Sequence, residues 1–295
     1  MTGKVRTAAV AGTWYPGTAS ALAAAVDGQL AVADAAALDV RGDLVALIAP
    51  HAGLMYSGPV AAHAYRLLRD RPFDVAVLVG PSHFVGFAGV ALFPSGGFET
   101  PFGVTPIDAA CGRAIAAASD LVHDRLDPHV REHSLEMQLP FLARLAPALP
   151  IVPLLMGYQT AATAAALGDA LAVALQGRQA LLIASSDLSH YHDAVTASAL
   201  DRVVVDCVAG FDVGGLQDAL DQKPEHACGG GPMVAVMRAA RAVGARDAVI
   251  LDHADSGDVS GDKSSVVGYL AAALGNFKPT TAETVPGAHA RLGWR

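Results

Sequence analysis

Cysteine is scarce in this chain, and its placement excludes more than its number does. Cys111, Cys207 and Cys228 form an odd set with no C-x-x-C pair. No disulfide framework is expected, and a reducing cytoplasm is the expected setting. Charge is scarce too: 16% of the 295 residues are charged, against roughly a quarter in ordinary soluble domains. No Lys/Arg cluster occurs, which removes the electrostatic footprint of a nucleic-acid binder. The formal net charge of −8 is spread along the chain and reads as ordinary solubility. Apolar runs of membrane-spanning length are missing, because Gly, Asp or Pro interrupts each one. The opening MTGKVRTAAVAGTWYPG has too short an apolar run for a signal peptide. Neither a membrane nor a nucleic acid is an expected partner. No Pro-, Ser- or charge-rich linker divides the chain, and no repeat of fixed period appears.

What is present is apolar: 53% of the residues are hydrophobic, enough for one large compact body. Short apolar runs alternate with Ala-rich helical stretches. Strands are expected at Leu44–Ala49, Val75–Val79, within Gly86–Phe93, at Pro150–Leu155, Ala180–Ala184, Ala248–Asp252 and Ser265–Ala273, with a short edge element at Thr7–Ala9. Helices are expected over 18–38, Val60–Arg69, Asp108–Ala118, Val130–Leu145 (interrupted near Pro140), Thr160–Leu175, Ala194–Val208, Val213–Leu220 and Met233–Val243. GGFETPFG at 96–103 and Asp255–Lys263 read as loops. The alternation predicts an α/β fold, a single-domain three-layer sandwich around a mostly parallel central sheet. Residues 1–276 form the domain and 277–295 a poorly anchored tail.

Three of the strands end alike. Leu44–Ala49 runs into Pro50 and His51, Val75–Val79 into Gly80, Pro81, Ser82 and His83, and Ala180–Ala184 into Ser185, Ser186, Asp187 and His190. Ligands of open α/β sheets bind outside the carboxyl ends of the strands. His51 and His83, each after a Pro in a Gly-containing loop, are candidate metal ligands; the plainer reading is two loop histidines capping helices. Cys228 precedes three glycines and Pro232 at a helix start, where the dipole is expected to lower a thiol's pKa. Cys111 and Cys207 sit in helical runs and read as small buried hydrophobes. Two imidazoles and one anion suit Fe(II) when the anion is a carboxylate and catalytic zinc when it is a thiolate.

Asp187 is expected to orient His190 or support a ligand histidine, and His190 to act as acid or base; Ser185, Ser186 and Asp187 also suit a helix cap. Glu132 and His133 are placed to reach the strand-exit face. Trp14 in GTWYPG and Tyr56 in the His51 loop are available to line a cleft.

GTWYPG, APHAGLMYSG with AHAYR, VLVGPSH, ETPFG, EHSLEMQLPF, ASSDLSHY, ACGGGP and SGDKSSVVGY occur in this order over about residues 7–272. Together they closely resemble the Memo family, whose bacterial and archaeal members are called AmmeMemoRadiSam system protein B. The resemblance implies a fold similar to the class III (LigB-type) extradiol ring-cleaving dioxygenases, which hold non-haem Fe(II) with two histidines and a glutamate. By motif, His51 and His83 match the two histidines, Cys228 the third ligand position, and His190, with Asp187 beside it, the acid/base position. A thiolate in place of glutamate changes the iron's potential and admits zinc or copper. The family is also described as binding phosphorylated peptides and as a metal-dependent redox protein. The expectation is an iron-dependent oxidoreductase of dioxygenase-like site acting on a small molecule. A non-enzymatic peptide- or protein-binding module and a zinc hydrolase with His190 as base stand as alternatives.

Overall fold

The computed structural model describes residues 3–36 and 38–278. In chain order they form β1 (Val5–Arg6), α1 (Ala19–Ala35), β2 (Gly42–Ala49), α2 (Leu54–Tyr65), β3 (Val75–Pro81), β4 (Val90–Leu92), β5 (Gly97–Thr100), β6 (Gly103–Pro106), α3 (Ala109–Ala117) and β7 (Val122–Asp124). There follow α4 (Leu139–Leu145), β8 (Ile151–Met156), α5 (Ala161–Ala174), β9 (Ala180–Ser185), β10 (His190–His192), α6 (Ala194–Ala209), α7 (Val213–Gln222), α8 (Gly230–Ala242), β11 (Asp247–Asp255) and β12 (Val266–Phe277).

The main sheet runs β10-β12-β2-β9-β3-β8-β4-β7, with β11 also paired to β12. Its centre, β2-β9-β3-β8, is parallel. Strands covered on both faces read as continuous apolar runs, and alternate residues along them enter different cores. Ala46, Ile48, Val77, Val79, Leu182 and Ala184 pack with α3, α5, α6, α7 and α8. Leu47, Ala49, Ala76, Leu78, Leu181 and Ile183 pack with α1, α2 and α4. This is the three-layer α/β sandwich. β12 is antiparallel to β2 and β11, and β4 to β8, so parallel pairing within this sheet is confined to the centre and to β4–β7.

Local rules were overridden in places. GGFETPFG is not a loop: β5 and β6 form a hairpin whose free edge takes β1. α2 begins at Leu54, directly after Gly53, and carries Pro59 inside it. The expected helix over 130–145 is a single 3-10 turn, Glu136–Gln138, leading into α4. Pro140 sits in the first turn of α4, where its missing N–H costs no hydrogen bond. Phe277, assigned to the tail, closes β12 opposite Gly42; the tail call beyond Lys278 lies outside the described residues. No helix among the described residues is long and apolar enough to cross a membrane.

Because β2, β9 and β3 are parallel neighbours in register, their three exits share one edge. His51 and His83 leave from the strands flanking β9, whose own exit carries Ser186 and Asp187.

Candidate metal centre

Pro50 ends β2 and turns His51 inward, where it is 1% exposed. Its loop is held by the Asp187 carboxylate, which accepts from the backbone N–H of His51 (2.7 Å) and of Ala52 (3.3 Å). The ring's proton can be located from its partners. Ser185 Oγ donates to the Ser134 carbonyl (2.6 Å) and accepts from Gln138 Nε2 (2.7 Å). Gln138 Nε2 also donates to the Pro50 carbonyl, and its Oε1 accepts from Tyr65 (2.7 Å), which fixes the amide's orientation. The serine's one proton is therefore spent, and His51 Nδ1, 2.9 Å away, must donate to it. Nε2 is left unprotonated and facing the Cys228 sulfur. Burial, helped by nearby His83, lowers the His51 pKa to about 3, so the ring is neutral at ordinary pH.

His83 is arranged the same way by a different partner. Glu132, 2% exposed, accepts from His83 Nδ1 (2.9 Å) and from its backbone N–H (2.6 Å). Burial opposes the charge on Glu132, but these bonds and the Ser134 N–H outweigh it and bring the pKa to about 2. A carboxylate accepting from Nδ1 leaves Nε2 of His83 as the ligand atom.

Cys228 comes from across the sheet. Its N–H donates to the Asp187 carbonyl (3.2 Å), and its Sγ lies 3.2 Å from His51 Nε2. The following glycines let α8 start against the strand ends: a Cβ on Gly229 would lie 2.4 Å from the Ser185 oxygen, and one on Gly231 2.7 Å from Met156 Sδ. Gln159 clamps the turn, donating to the Cys228 carbonyl (2.7 Å) and accepting from Gly231 N–H (2.8 Å). The helix start does not produce the expected low thiol pKa. Burial pushes the Cys228 thiol well up, and the Asp187 charge adds to it.

Ligand atoms of His51, His83 and Cys228 all lie within 4.8 Å of one another. Ligands sharing one ion stand roughly 3–4 Å apart, so two Nε2 lone pairs and one sulfur suit a single ion, leaving positions open. His83, Glu132 and His133 form a second close group, in which Glu132 accepts from both the ring and the backbone N–H of His83. Its Oε1 also accepts from the N–H groups of His133 and Ser134, each at 2.9 Å. It is a hydrogen-bonding node that holds the site's histidines.

The remaining candidates fall into two sets. His133 stacks on His83 (4.6 Å, 14°) and meets Trp14 at 4.3 Å, and burial lowers its pKa to about 4. Tyr56 stands apart from these rings, on the first turn of α2 and 36% exposed. Asp187 does not take the His190 ring proton: His190 Nδ1 donates to the Leu188 carbonyl (2.8 Å), and the Asp187 carboxylate serves the His51 loop. Ser185, Gln138 and Gln159 were not foreseen. The only hint of them was polar side chains embedded in, or just after, apolar stretches.

The Memo-like protein family matches residues 6–273. A MEMO1 family protein of Methanothermobacter thermautotrophicus is 38% identical over 272 residues, covering 90% of this chain and 98% of that protein. One of Pyrobaculum aerophilum is 40% identical over 234 residues, covering 77% and 82%. An uncharacterized protein of Escherichia coli K12 has a similar fold, with a TM-score of 0.50 at 16% identity over 77% of this chain and 99% of its own.

Proposed function

This chain belongs to the Memo-like protein family, and on that footing we propose that it is a mononuclear metal-dependent oxidoreductase acting on a small organic molecule. His51 Nε2, His83 Nε2 and Cys228 Sγ would hold the ion. The observation that carries this reading is the pair of imidazoles whose Nδ1 protons are committed to Ser185 and Glu132, facing a sulfur 3.2 Å from one of them. Iron is the ion favoured, with zinc or copper compatible with the same donors.

Bound iron would supply the one-electron and oxygen chemistry that side chains lack. The chain's own residues do the rest. Ser185 and Glu132 fix the two rings, and Asp187 holds the His51 loop by its backbone. His190, with Nδ1–H given to Leu188, keeps Nε2 free to accept a proton from a substrate hydroxyl. His133 and Trp14 offer ring surface to the substrate, with Tyr56 at the margin.

Metal analysis of untagged protein tests the site. Wild type loaded anaerobically with Fe(II) should carry about one iron, and the His51→Ala/His83→Ala double variant none; equal sub-stoichiometric metal in both refutes it. Oxygen uptake over a panel of catechols and small phenols tests the reaction. A zinc protein without uptake would favour hydrolysis with His190 as base, or a peptide- or protein-binding role for the cleft.

A further inference from the structure

Aromatic surface is left bare beside the candidate centre. Trp14 and Phe84 are 39% and 50% exposed, and His133 sits between them, with ring centroids at 4.3 and 5.9 Å. Since His133 also stacks on His83, the wall is continuous from solvent to a candidate ligand. Such a wall suits a planar ring, held by stacked or edge-to-face contact.

At the outer end of this wall, the Arg131 guanidinium lies 5.0 Å over the Phe84 ring. The protein uses the same stack elsewhere. Arg6 lies over Phe98 and gives its N–H groups to Glu136 and to the His129 and Glu132 carbonyls. Arg125 lies over Phe87 and forms a two-bond pair with Asp127. Arg241 lies over Phe211 and donates to that residue's carbonyl. In each case an internal oxygen takes the edge of the stacked guanidinium. No acceptor among the described residues takes the edge of Arg131. A stacked guanidinium keeps its N–H fork in plane, in the geometry that matches a carboxylate. The carboxylate of the next residue, Glu132, is buried and accepts from His83, His133 and Ser134.

We propose that Arg131 is a specificity-determining residue, and that the cleft takes a planar ring bearing a carboxylate: the ring lies against Trp14, His133 and Phe84, and the carboxylate enters the Arg131 fork. This deepens the oxidoreductase reading and rests on it for where the reacting atoms lie; the binding itself does not depend on turnover.

The test compares 3,4-dihydroxybenzoate with its neutral counterpart, 3,4-dihydroxybenzamide, binding to the anaerobic Fe(II)-loaded protein, followed by tryptophan fluorescence and calorimetry. Wild type should prefer the acid by roughly tenfold, the scale of one charge-assisted pair. Arg131→Gln should abolish that preference while leaving amide binding unchanged, and Arg131→Lys should retain part of it. Equal binding of acid and amide by wild type, a preference that survives in Arg131→Gln, or binding of neither ring overturns the proposal. Arg131-dependent acid binding without oxygen uptake upholds it and counts against the oxidoreductase. Oxygen uptake with equal binding of the two rings does the reverse.

Discussion

The two edges of the central sheet enclose different things. At the strand exits, His51, Glu132, Ser134, Glu136, Gln138 and Ser185 are all buried, and each has named hydrogen-bond partners. At the opposite edge lie two open grooves, of about 820 and 390 Å³, which share Arg71, Pro72 and Phe73. Their polar groups are occupied simply: Arg71 donates to the Leu67 and Val40 carbonyls, and Arg178 pairs with Asp108. By volume alone the grooves would be the place to look for a ligand. The chemistry points to the other edge. Space at a surface needs only loose packing, whereas enclosing charged and polar groups is costly unless every partner is supplied.

The largest effect should come from breaking that enclosure. Glu136 accepts from Arg6 Nη1 (2.6 Å), the Ala9 and Val10 N–H groups and the Tyr15 hydroxyl (2.7 Å). Glu136→Ala strands a buried guanidinium and should cost roughly 3–5 kcal/mol in denaturant unfolding. Arg178→Ala, at the opposite edge, removes a more exposed pair and should cost about 1 kcal/mol or less. Similar losses for the two would erase the contrast between the edges.

The next effect is pH dependence. His129 lies between Phe93 and Phe98, 1% exposed, with Nε2 donating to the Ala91 carbonyl. Burial lowers its pKa to about 3 against that hydrogen bond, while the unfolded chain titrates near 6.5. Between these values the unfolded state binds the extra proton. Stability should therefore fall as pH drops below about 6.5, by about 1.4 kcal/mol per pH unit from this residue, with no slope from it above. Unfolding midpoints of wild type and His129→Gln across pH 4–8 measure it; parallel curves would show that the ring titrates normally in the fold.

How much of this was legible follows the same division. The strand-exit histidines, the Ser-Ser-Asp turn and the Cys-Gly-Gly-Gly turn are local patterns, and topology brings them to one edge. Partners set by tertiary packing were not legible. Ser185 reads as a helix cap after a strand until Gln138 and Ser134 close around it. Asp187 reads as a partner for His190, three residues away, or as a support for a ligand histidine, and the chain turns its carboxylate to the backbone N–H groups of His51 and Ala52. The Cys228 thiol shows a local rule losing: a helix start favours the thiolate, but burial beside Asp187 pushes the other way. Strand direction is also invisible to alternation: Ser265–Ala273 reads as a strand, but nothing in it shows that β12 runs antiparallel to β2. The Gly and Pro residues of GGFETPFG read as a loop where β5 and β6 form a hairpin.

Glu132 holds His83 by its ring and backbone N–H groups, so replacing it tests how far the candidate site depends on that hold. Glu132→Gln replaces one acceptor oxygen with an NH₂ facing N–H groups, which misaligns His83. Affinity for Co(II) as a probe ion, measured against a competing chelator, should fall roughly 10–100-fold. Ser185→Ala, which frees the Nδ1 proton of His51, should cost about tenfold by the same reasoning. Unchanged affinity in both variants would mean the tautomers are not set by these residues.

The smallest expected effect is the sharpest test of the groove edge. Val173 is 69% exposed on the wall of the larger groove, so Val173→Lys places a charge there while burying nothing. Surface changes of this kind usually alter stability by no more than about 0.5 kcal/mol. The site lies at the far end of the strands, and an exposed charge is screened beyond roughly 10 Å in ordinary salt. Co(II) affinity and the binding of 3,4-dihydroxybenzoate should therefore both stay within about twofold of wild type. A loss of threefold or more in either, with the unfolding midpoint unchanged, would mean that the groove takes part in ligand binding. The chemistry would then not be confined to the strand exits, and the difference between the two edges would be one of packing alone.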